Sequence, residues 1–557
     1  MHQSVVERLA RLAPDQRAAA TAPPGPMLIV APAGSGKTTT LVARVCWLAD
    51  GGVDPATICL VAFNKRAADE LVVRLDAALV TLGVAAGAVR VRTFHALGRE
   101  ILADAGVAVE PLIGRDSLLR DLFPRATLAD RGRLDLAFSR LKLDLRVGWE
   151  EVASDPAPGP IASAYVAYGR AVAESGGLDF DDLVAGAVSR LTSDQRLRDR
   201  WQRRTSTLLV DEAQDLDRTQ LDLALLLAAP ANNVSFVGDD DQSIYGWRLA
   251  DVRRVLGLAG DLPGLRRVDL STNYRCPLPV VERAVRLVEH NRERFAKRIE
   301  AGPAASGRLI LAPDGADDLV RIKRAMRTWP ADESTRAVLA RTNRELLVAV
   351  VAAVELGVPF RAPDLPLPIE DGRVDLLLER CAAMPGVELL PALGSLRASV
   401  GEEAETETEA GECGVGVERA AADPADGPTL FDLVTALIGW APAFPDLAAL
   451  VAAVADRRAR LVALRRDDAT LTLATAHGTK GLEWDHVVVL ADGFPGRRSI
   501  SDATEPERAL EEERRLAYVA WTRARRSLTL LYDPSAASPF LAEAFDPAEL
   551  GLGPAAG

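Results

Sequence analysis

A chain of 557 residues is too long for one hydrophobic core, and its length alone asks for roughly three or four domains. Apolar residues at 48% and charged residues at 26% give the balance of an ordinary globular protein, with no apolar run long enough to span a bilayer. A net charge of −13 excludes a protein coated in positive charge, although a nucleic-acid groove needs only local positive potential.

In chain order, the opening MHQSVVERLARLAPDQ lacks the basic-then-apolar layout of a signal peptide, and a cytoplasmic location is expected. Short strand-like runs follow: MLIV (27–30), ICLVAF (58–63), TLLV (207–210), VSFVG (234–238), AVLA (337–340) and HVVVL (486–490). Helical segments rich in Ala, Leu and Arg separate them, which predicts parallel α/β sheets in two series, roughly 25–270 and 268–535. Two stretches interrupt the series. Residues 106–188 read as a helical insertion, and 365–465 as a second insertion poor in strand signal. Within the latter, GEEAETETEAGE (401–412) reads as a solvated acidic loop. The apolar segment 431–460 reads as core helices, with a docking pair as the alternative. Cys46, Cys59, Cys276, Cys381 and Cys413 stand far apart and form no C-x-x-C pair, so buried thiols in a reducing compartment are expected.

IVAPAGSGKTTTL (29–41) is a strand, a glycine loop and a helix start. Glycines at 34 and 36 let successive N–H groups turn toward an anion, Lys37 supplies charge for the β/γ-phosphates, and the Thr38 hydroxyl suits Mg²⁺. Ala33, Gly34, Ser35, Gly36, Lys37, Thr38 and Thr39 are the candidate nucleotide cradle; Ala31 stands where the general pattern has Gly. A glycine turn with a surface lysine is the plainer alternative. TLLVDEAQD (207–215) supplies the complement: Asp211 to hold Mg²⁺ and Glu212 to take a proton from the attacking water. Arg275 and Arg523 are candidate cations for charge developing on the γ-phosphate.

These blocks occur with PDQ (14–16), AFNKRAADE (62–70), RTFHALGREIL (92–102), VGDDDQSIYGWR (237–248), LSTNYRC (270–276), ARTN (340–343), TAHGTKGLEWDHV (475–487) and EEERRLAYVAWTRA (511–524). In that order they resemble a UvrD/Rep/PcrA-type superfamily 1 DNA helicase, from residue 14 to about 532. The resemblance implies two RecA-like parallel-sheet motor domains with two mainly helical insertions, the second one reduced. The first motor domain would take 1–105 and 189–267 around the insertion 106–188. The second would take 268–364 and 466–557 around the insertion 365–465. It also implies that Gln16 reads the adenine, Tyr274 stacks on it, Glu483 contacts the ribose and Gln242 senses the γ-phosphate. Arg275 and Arg523 would act as arginine fingers. Phe63, Tyr245 and Trp247 would be the DNA-contacting aromatics, with Thr93, His95 and Arg248 along the same path. On this reading Asp239–Asp241 and Gln242 face the nucleotide while the aromatics a few residues on face a single strand. One turnover could then break and remake a base stack worth ~1–3 kcal/mol.

Three departures stand out. Thr39 replaces the usual arginine after G-K-T, which weakens one side of the adenine pocket. GVPFR (357–361) is present, but APDLPLPIEDGR (362–373) lacks the aromatic stretch that opens the family's large regulatory subdomain. The chain runs only about 25 residues past YDP (532–534), which leaves no room for a fused nuclease. The expected activity is an ATP- and Mg²⁺-dependent 3′→5′ DNA helicase of repair or recombination, acting on single strands and junctions. It would be a monomer or weak dimer, with repair-protein partners, no membrane, and nucleoid association when on DNA. The alternatives are a translocase that strips proteins without efficient unwinding, and a non-catalytic nucleic-acid-binding subunit.

Overall fold

The computed structural model describes residues 1–303, 306–363, 365–384, 388–409, 430–496, 500–501 and 503–550. It divides into two compact units. The first holds Met1–Pro124, Arg131–Ser306 and Thr504–Tyr518; the second holds Arg125–Asp130, Gly307–Ala503 and Val519–Gly557.

The first unit is built on six strands: β1 (Met27–Val30), β2 (Ile58–Ala62), β3 (Arg90–Thr93), β4 (Thr207–Val210), β5 (Val234–Gly238) and β6 (Arg266–Asp269). All pairings are parallel, in the order β3-β2-β4-β5-β1-β6. Successive side chains of one strand point to opposite faces, and both faces are covered. Leu28, Val30, Leu208, Val210 and Phe236 enter one core, while Ile29, Leu60, Leu209 and Val237 enter the other. Strands buried on both sides therefore read as unbroken apolar runs.

The helical insertion keeps a small core of its own around Leu119, Phe138, Tyr165 and Tyr168. Its base is a charge knot in which Arg115 reaches Asp179 (2.7 Å) and Asp181 (2.6 Å), and Lys142 also reaches Asp179 (2.8 Å). Buried Asp179 is held well below the usual carboxylate range because Lys142 and Arg115 outweigh the cost of burial.

The first unit runs on to Ser306, past the boundary near 267 expected from the sequence. The short pair β7 (Thr272–Asn273) and β8 (Glu300–Ala301) explains why: Tyr274 N–H bonds to the Gly34 carbonyl (2.9 Å), which ties this segment to the loop after β1. Arg275 thus belongs to the first unit, not to the second α/β series.

The second unit is a parallel sheet of β9 (Arg308–Pro313), β10 (Arg336–Ala340), β11 (Phe360–Arg361), β12 (Leu471–Thr475), β13 (Trp484–Leu490) and β14 (Ala524–Tyr532), in the order β11-β12-β10-β13-β14-β9. Between β11 and β12 lie helices Arg373–Ala382, Leu389–Glu409, Leu430–Trp440 and Leu447–Leu464. Their buried Leu377, Leu393, Leu433, Val434, Leu437, Leu450 and Val454 share one core with the sheet, which is the packing expected of segment 431–460. The acidic stretch departs from expectation, because helix Leu389–Glu409 runs through most of it; residues 410–412 and Cys413 lie outside the described residues. Cys46, Cys59, Cys276 and Cys381 are buried. Among the described residues no single helix is long and apolar enough to cross a membrane.

Candidate nucleotide and nucleic-acid site

β1 hands over to a loop in which Gly34 and Gly36 take left-handed φ angles of 68° and 79°. Neither position has room for a side chain. A Cβ on Gly34 would lie 2.7 Å from Arg275 Cβ and Asn273 Oδ1, and one on Gly36 would lie 2.5 Å from Gln16 Nε2. Helix Lys37–Asp50 starts at once, so its unpaired N–H groups and positive dipole end sit at the loop. The Ser35 hydroxyl oxygen is buried with no hydrogen bond. Lys37 Nζ lies 3.3 and 3.2 Å from the two Glu212 carboxylate oxygens. Burial works to lower the Lys37 pKa, but Glu212, Asp211 and Asp239 outweigh it and the net direction is up.

Asp211 directly follows β4 and accepts the Glu212 N–H (3.0 Å). Glu212 adopts a left-handed φ of 52°, a conformation that costs a non-glycine residue on the order of 1–3 kcal/mol and tends to mark functional turns. Gln214 joins this turn to the next one. It donates to Glu212 (2.6 Å) and accepts the Asp239 N–H (3.0 Å).

The loop after β5 is where the expectation needs correcting. Asp239–Asp241 do not simply face a nucleotide: Lys297 Nζ binds Asp239 and Asp241 at 2.9 Å each and also contacts Asp240. Arg294 grips Asp241 with two bonds (3.0 and 2.8 Å). Lys297 is raised despite its burial because three carboxylates surround it, and Asp241 falls to about 2 because Lys297 and Arg294 overcome burial. Asp239 acts on both lysines, 37 and 297. Gln242 is buried and donates to Asp239 (2.7 Å). Six residues further along the chain from Asp241, the character inverts: Trp247 is 52% exposed. Tyr245 stacks on Phe63 with ring centroids 5.1 Å apart and planes at 14°, and meets Trp247 edge-on at 6.1 Å. The Arg248 guanidinium lies 4.6 Å from the Trp247 ring centroid. Burial, then Asp215 and Glu212, push the Tyr245 phenol up to about 12, so this ring feels the charge at the end of β4.

Of the other residues singled out in the sequence, Gln16 is buried, donating to Ser35 O (2.8 Å) while accepting the Ala13 N–H (3.1 Å). Tyr274 is half exposed, Thr39 is exposed, and Ala33 and Ser35 are buried. Thr93 caps helix Phe94–Asp104 by accepting the Ala96 N–H (3.2 Å), and His95 follows in its first turn. Burial lowers the His95 pKa, with Asp181 opposing. Glu483 and Arg523 are residues of the second unit. Glu483 pairs with Arg525 (3.6 Å), and Arg523 is buried, donating to Val519 O (2.8 Å) and Leu482 O (3.2 Å).

A magnesium nucleotide suits this donor set. Thr38 and Asp211 offer hard oxygen ligands, and among the described residues no group of three His, Cys, Asp or Glu side chains forms a metal cage of its own. Mg²⁺ commonly takes one or two protein oxygens and completes its shell with water and phosphate.

Two family models match the chain: the UvrD/REP helicase N-terminal domain over residues 12–263, and the UvrD-like helicase C-terminal domain over 446–535. The chain belongs to the UvrD/REP helicase family. Its relatives include the ATP-dependent DNA helicase PcrA of Leuconostoc citreum, 32% identical over 359 residues covering 60% of this chain and 47% of that protein. PcrA of Staphylococcus epidermidis is 29% identical over 358 residues, covering 60% and 48%. The chain thus spans about half the length of these PcrA relatives. DNA helicase II of Escherichia coli is 27% identical over 608 residues, covering 93% of this chain and 84% of that protein.

Four side chains of this UvrD/REP-family site escaped the sequence. Lys297 and Arg294 lie in an unremarkable polar run, NRERFAKRIE, about 55 residues from the carboxylates they bind. Gln214 was legible only as part of a carboxylate-rich turn. Phe180, 60% exposed, meets His95 edge-on at 5.6 Å. An exposed Phe at a helix start was the one available signal for it.

Proposed function

We propose that this chain is an ATP-driven DNA helicase that binds single strands and moves 3′→5′ to open duplex, in repair or recombination. The observation that carries the proposal is the loop after β5. One end is buried, with Gln242 bonded to Asp239, whose charge acts on Lys37, and the other presents Trp247 to solvent against Tyr245 and Phe63. Aromatic faces bind bases without regard to sequence, at ~1–3 kcal/mol per stacked base.

In this scheme the 33–39 loop cradles the phosphates, with Gln16 and Tyr274 on the base and Glu483 on the ribose. Lys37, Arg275 and Arg523 meet charge on the γ-phosphate. A Mg²⁺ held by Thr38 and Asp211 supplies charge neutralisation for the phosphates when bound. Glu212 accepts the proton of the attacking water, and Gln242 reads whether the γ-phosphate is present. Phe63, Tyr245, Trp247 and Arg248 bind the strand, with Thr93 and His95 along its path.

The deciding experiment is ATP turnover with and without oligonucleotides, paired with unwinding of 3′-tailed and 5′-tailed duplexes. The proposal requires strand-stimulated turnover and opening of the 3′-tailed substrate only. A second reading, strand translocation without efficient unwinding, is favoured by one fact. The 608-residue match to DNA helicase II is longer than this 557-residue chain, so the relative carries segments absent here. Stimulated turnover without strand displacement selects that reading.

A further inference from the structure

The segment carrying Trp247 is held from outside both proposed ligand sites. Its front, Asp239–Asp241, is anchored on Lys297 and Arg294. Its rear, Asp251, accepts from Arg508 (3.0 Å). Between these anchors Gly246 donates its backbone N–H to Glu512 Oε1 (3.0 Å), and a Cβ on Gly246 would run into that carboxylate. Gly246 is not among the glycines with positive φ, so its backbone would accept alanine. Room is what the position lacks, and Glu512 takes it.

Glu512 stands on helix Pro506–Trp521, which is fastened into the first unit at several further points. Glu511 accepts the N–H groups of Arg292 (2.8 Å) and Glu293 (3.1 Å), Arg514 donates to Asn291 (3.1 Å), and Arg515 donates to Glu293 O (2.7 Å). Tyr518 is fully buried near Ala33, Asp239 and Asp241, and burial followed by those carboxylates drives its phenol far up. One helix therefore touches the phosphate loop, the segment that neutralises the three carboxylates, and the backbone between the two stacking rings. The contact to Gly246 is the solvent-facing member of this set, so its loss spares the buried framework.

We infer that Glu512 is a positioning residue for strand binding. Its carboxylate fixes the peptide between Tyr245 and Trp247 and so sets the edge-on arrangement of those rings. The inference rests on the strand-binding role proposed for them. Without the acceptor, the Gly246 N–H turns to water, the rings sample more orientations, and a base must order them on arrival. Lys297 and Tyr518 still hold the nucleotide end.

The test uses the full chain and four variants: E512A, E512Q, G246A and E512A/G246A. E512A lowers affinity for a labelled oligothymidylate about fivefold, the size of one hydrogen bond, while affinity for a fluorescent ATP analogue changes less than about twofold. E512Q keeps an oxygen acceptor and recovers strand affinity to within about twofold of the starting protein. G246A pushes the same carboxylate aside and matches E512A, yet adds little in the E512A background, where the methyl group finds space. Hydrogen–deuterium exchange gives a readout independent of strand binding. The peptide covering 243–249 exchanges about fivefold faster in E512A, and the peptide covering 31–41 does not change. Unchanged exchange over 243–249, or additive effects of G246A and E512A, overturns the inference. A parent protein that binds no oligonucleotide at all sinks the proposed function instead, and the exchange comparison still decides whether Glu512 holds the loop.

Discussion

Replacing Glu212 with glutamine moves nucleotide binding and turnover in opposite directions. Glu212 holds Lys37 at 3.2 Å, with side chains only 14% (lysine) and 21% (glutamate) exposed. At that distance and an effective dielectric of about 20, the gross attraction is about 5 kcal/mol. Desolvation offsets most of it, leaving the ~1.5–3 kcal/mol of a charge-assisted hydrogen bond. An incoming phosphate must draw Lys37 away from this partner. E212Q leaves an oxygen acceptor but no charge, roughly halving the bond, so about 1–2 kcal/mol of competition disappears. Nucleotide affinity should rise about 5- to 30-fold. Turnover should fall about 10²- to 10⁴-fold, the contribution of a positioned general base. A fluorescent-nucleotide titration and a phosphate-release assay on the same preparation measure both. Weaker nucleotide binding in E212Q would show that the ion pair does not compete with phosphate, and turnover within about tenfold of the parent would remove Glu212 as the base.

Three further outcomes are expected. W247A should weaken oligonucleotide binding by ~1–3 kcal/mol without altering nucleotide affinity, as read by fluorescence anisotropy; unchanged strand affinity would discard the stacking role. K297M leaves three buried carboxylates without their lysine and should cost about 3–5 kcal/mol in denaturant unfolding, whereas a neutral result would mean the cluster is already protonated. Asp217 caps helix Arg218–Ala228, and burial pushes its carboxyl up to about 7 against the pull of the Gln220 N–H and Arg254. Because its folded pKa is raised, the stability it contributes is complete below its unfolded pKa of about 3.9 and is lost as pH climbs through the folded value. The melting temperature should therefore fall between roughly pH 4 and pH 7 and level off above, and D217N, which retains a capping oxygen, should flatten that fall; parallel curves would refute the assignment.

The phosphate loop was legible because its chemistry is local: strand, glycines, lysine and helix start follow one another, and each constrains its neighbour. The same holds for the aromatic loop, whose rings lie two positions apart. What the sequence hid is what long-range packing decides. A lysine buried by three carboxylates looks, in one dimension, like any surface lysine. The two-stranded β7–β8 pair is too short to read as strand, so the extension of the first unit to Ser306 left no periodic signal. The acidic run 401–412 reads as a loop on charge alone, yet glutamate and alanine are good helix formers, and the preceding apolar turns carry the helix on to Glu409.

Strand order explains why the loop after β5 links the two ends of the site. β5 lies between β4 and β1, so residues leaving it pass between the Asp211–Glu212 turn and the phosphate loop. Phe63 stands at the end of β2, two strands away from β5, a lateral distance of about 10 Å. The six steps from Asp239 to Tyr245 reach about 20 Å if fully stretched. They are not stretched: a 3-10 turn covers Asp240–Gln242, and Gln242, Ser243 and Ile244 are buried. Little slack is left to absorb a displacement at Asp239. A shift there of the order of an ångström, caused by a change in what Lys37 binds, must appear either as a broken bond to Lys297 or as a movement of Tyr245 against Phe63. The first would strand buried charge and the second alters one stacked contact worth about 0.5–1.5 kcal/mol, so the stack is the element that yields.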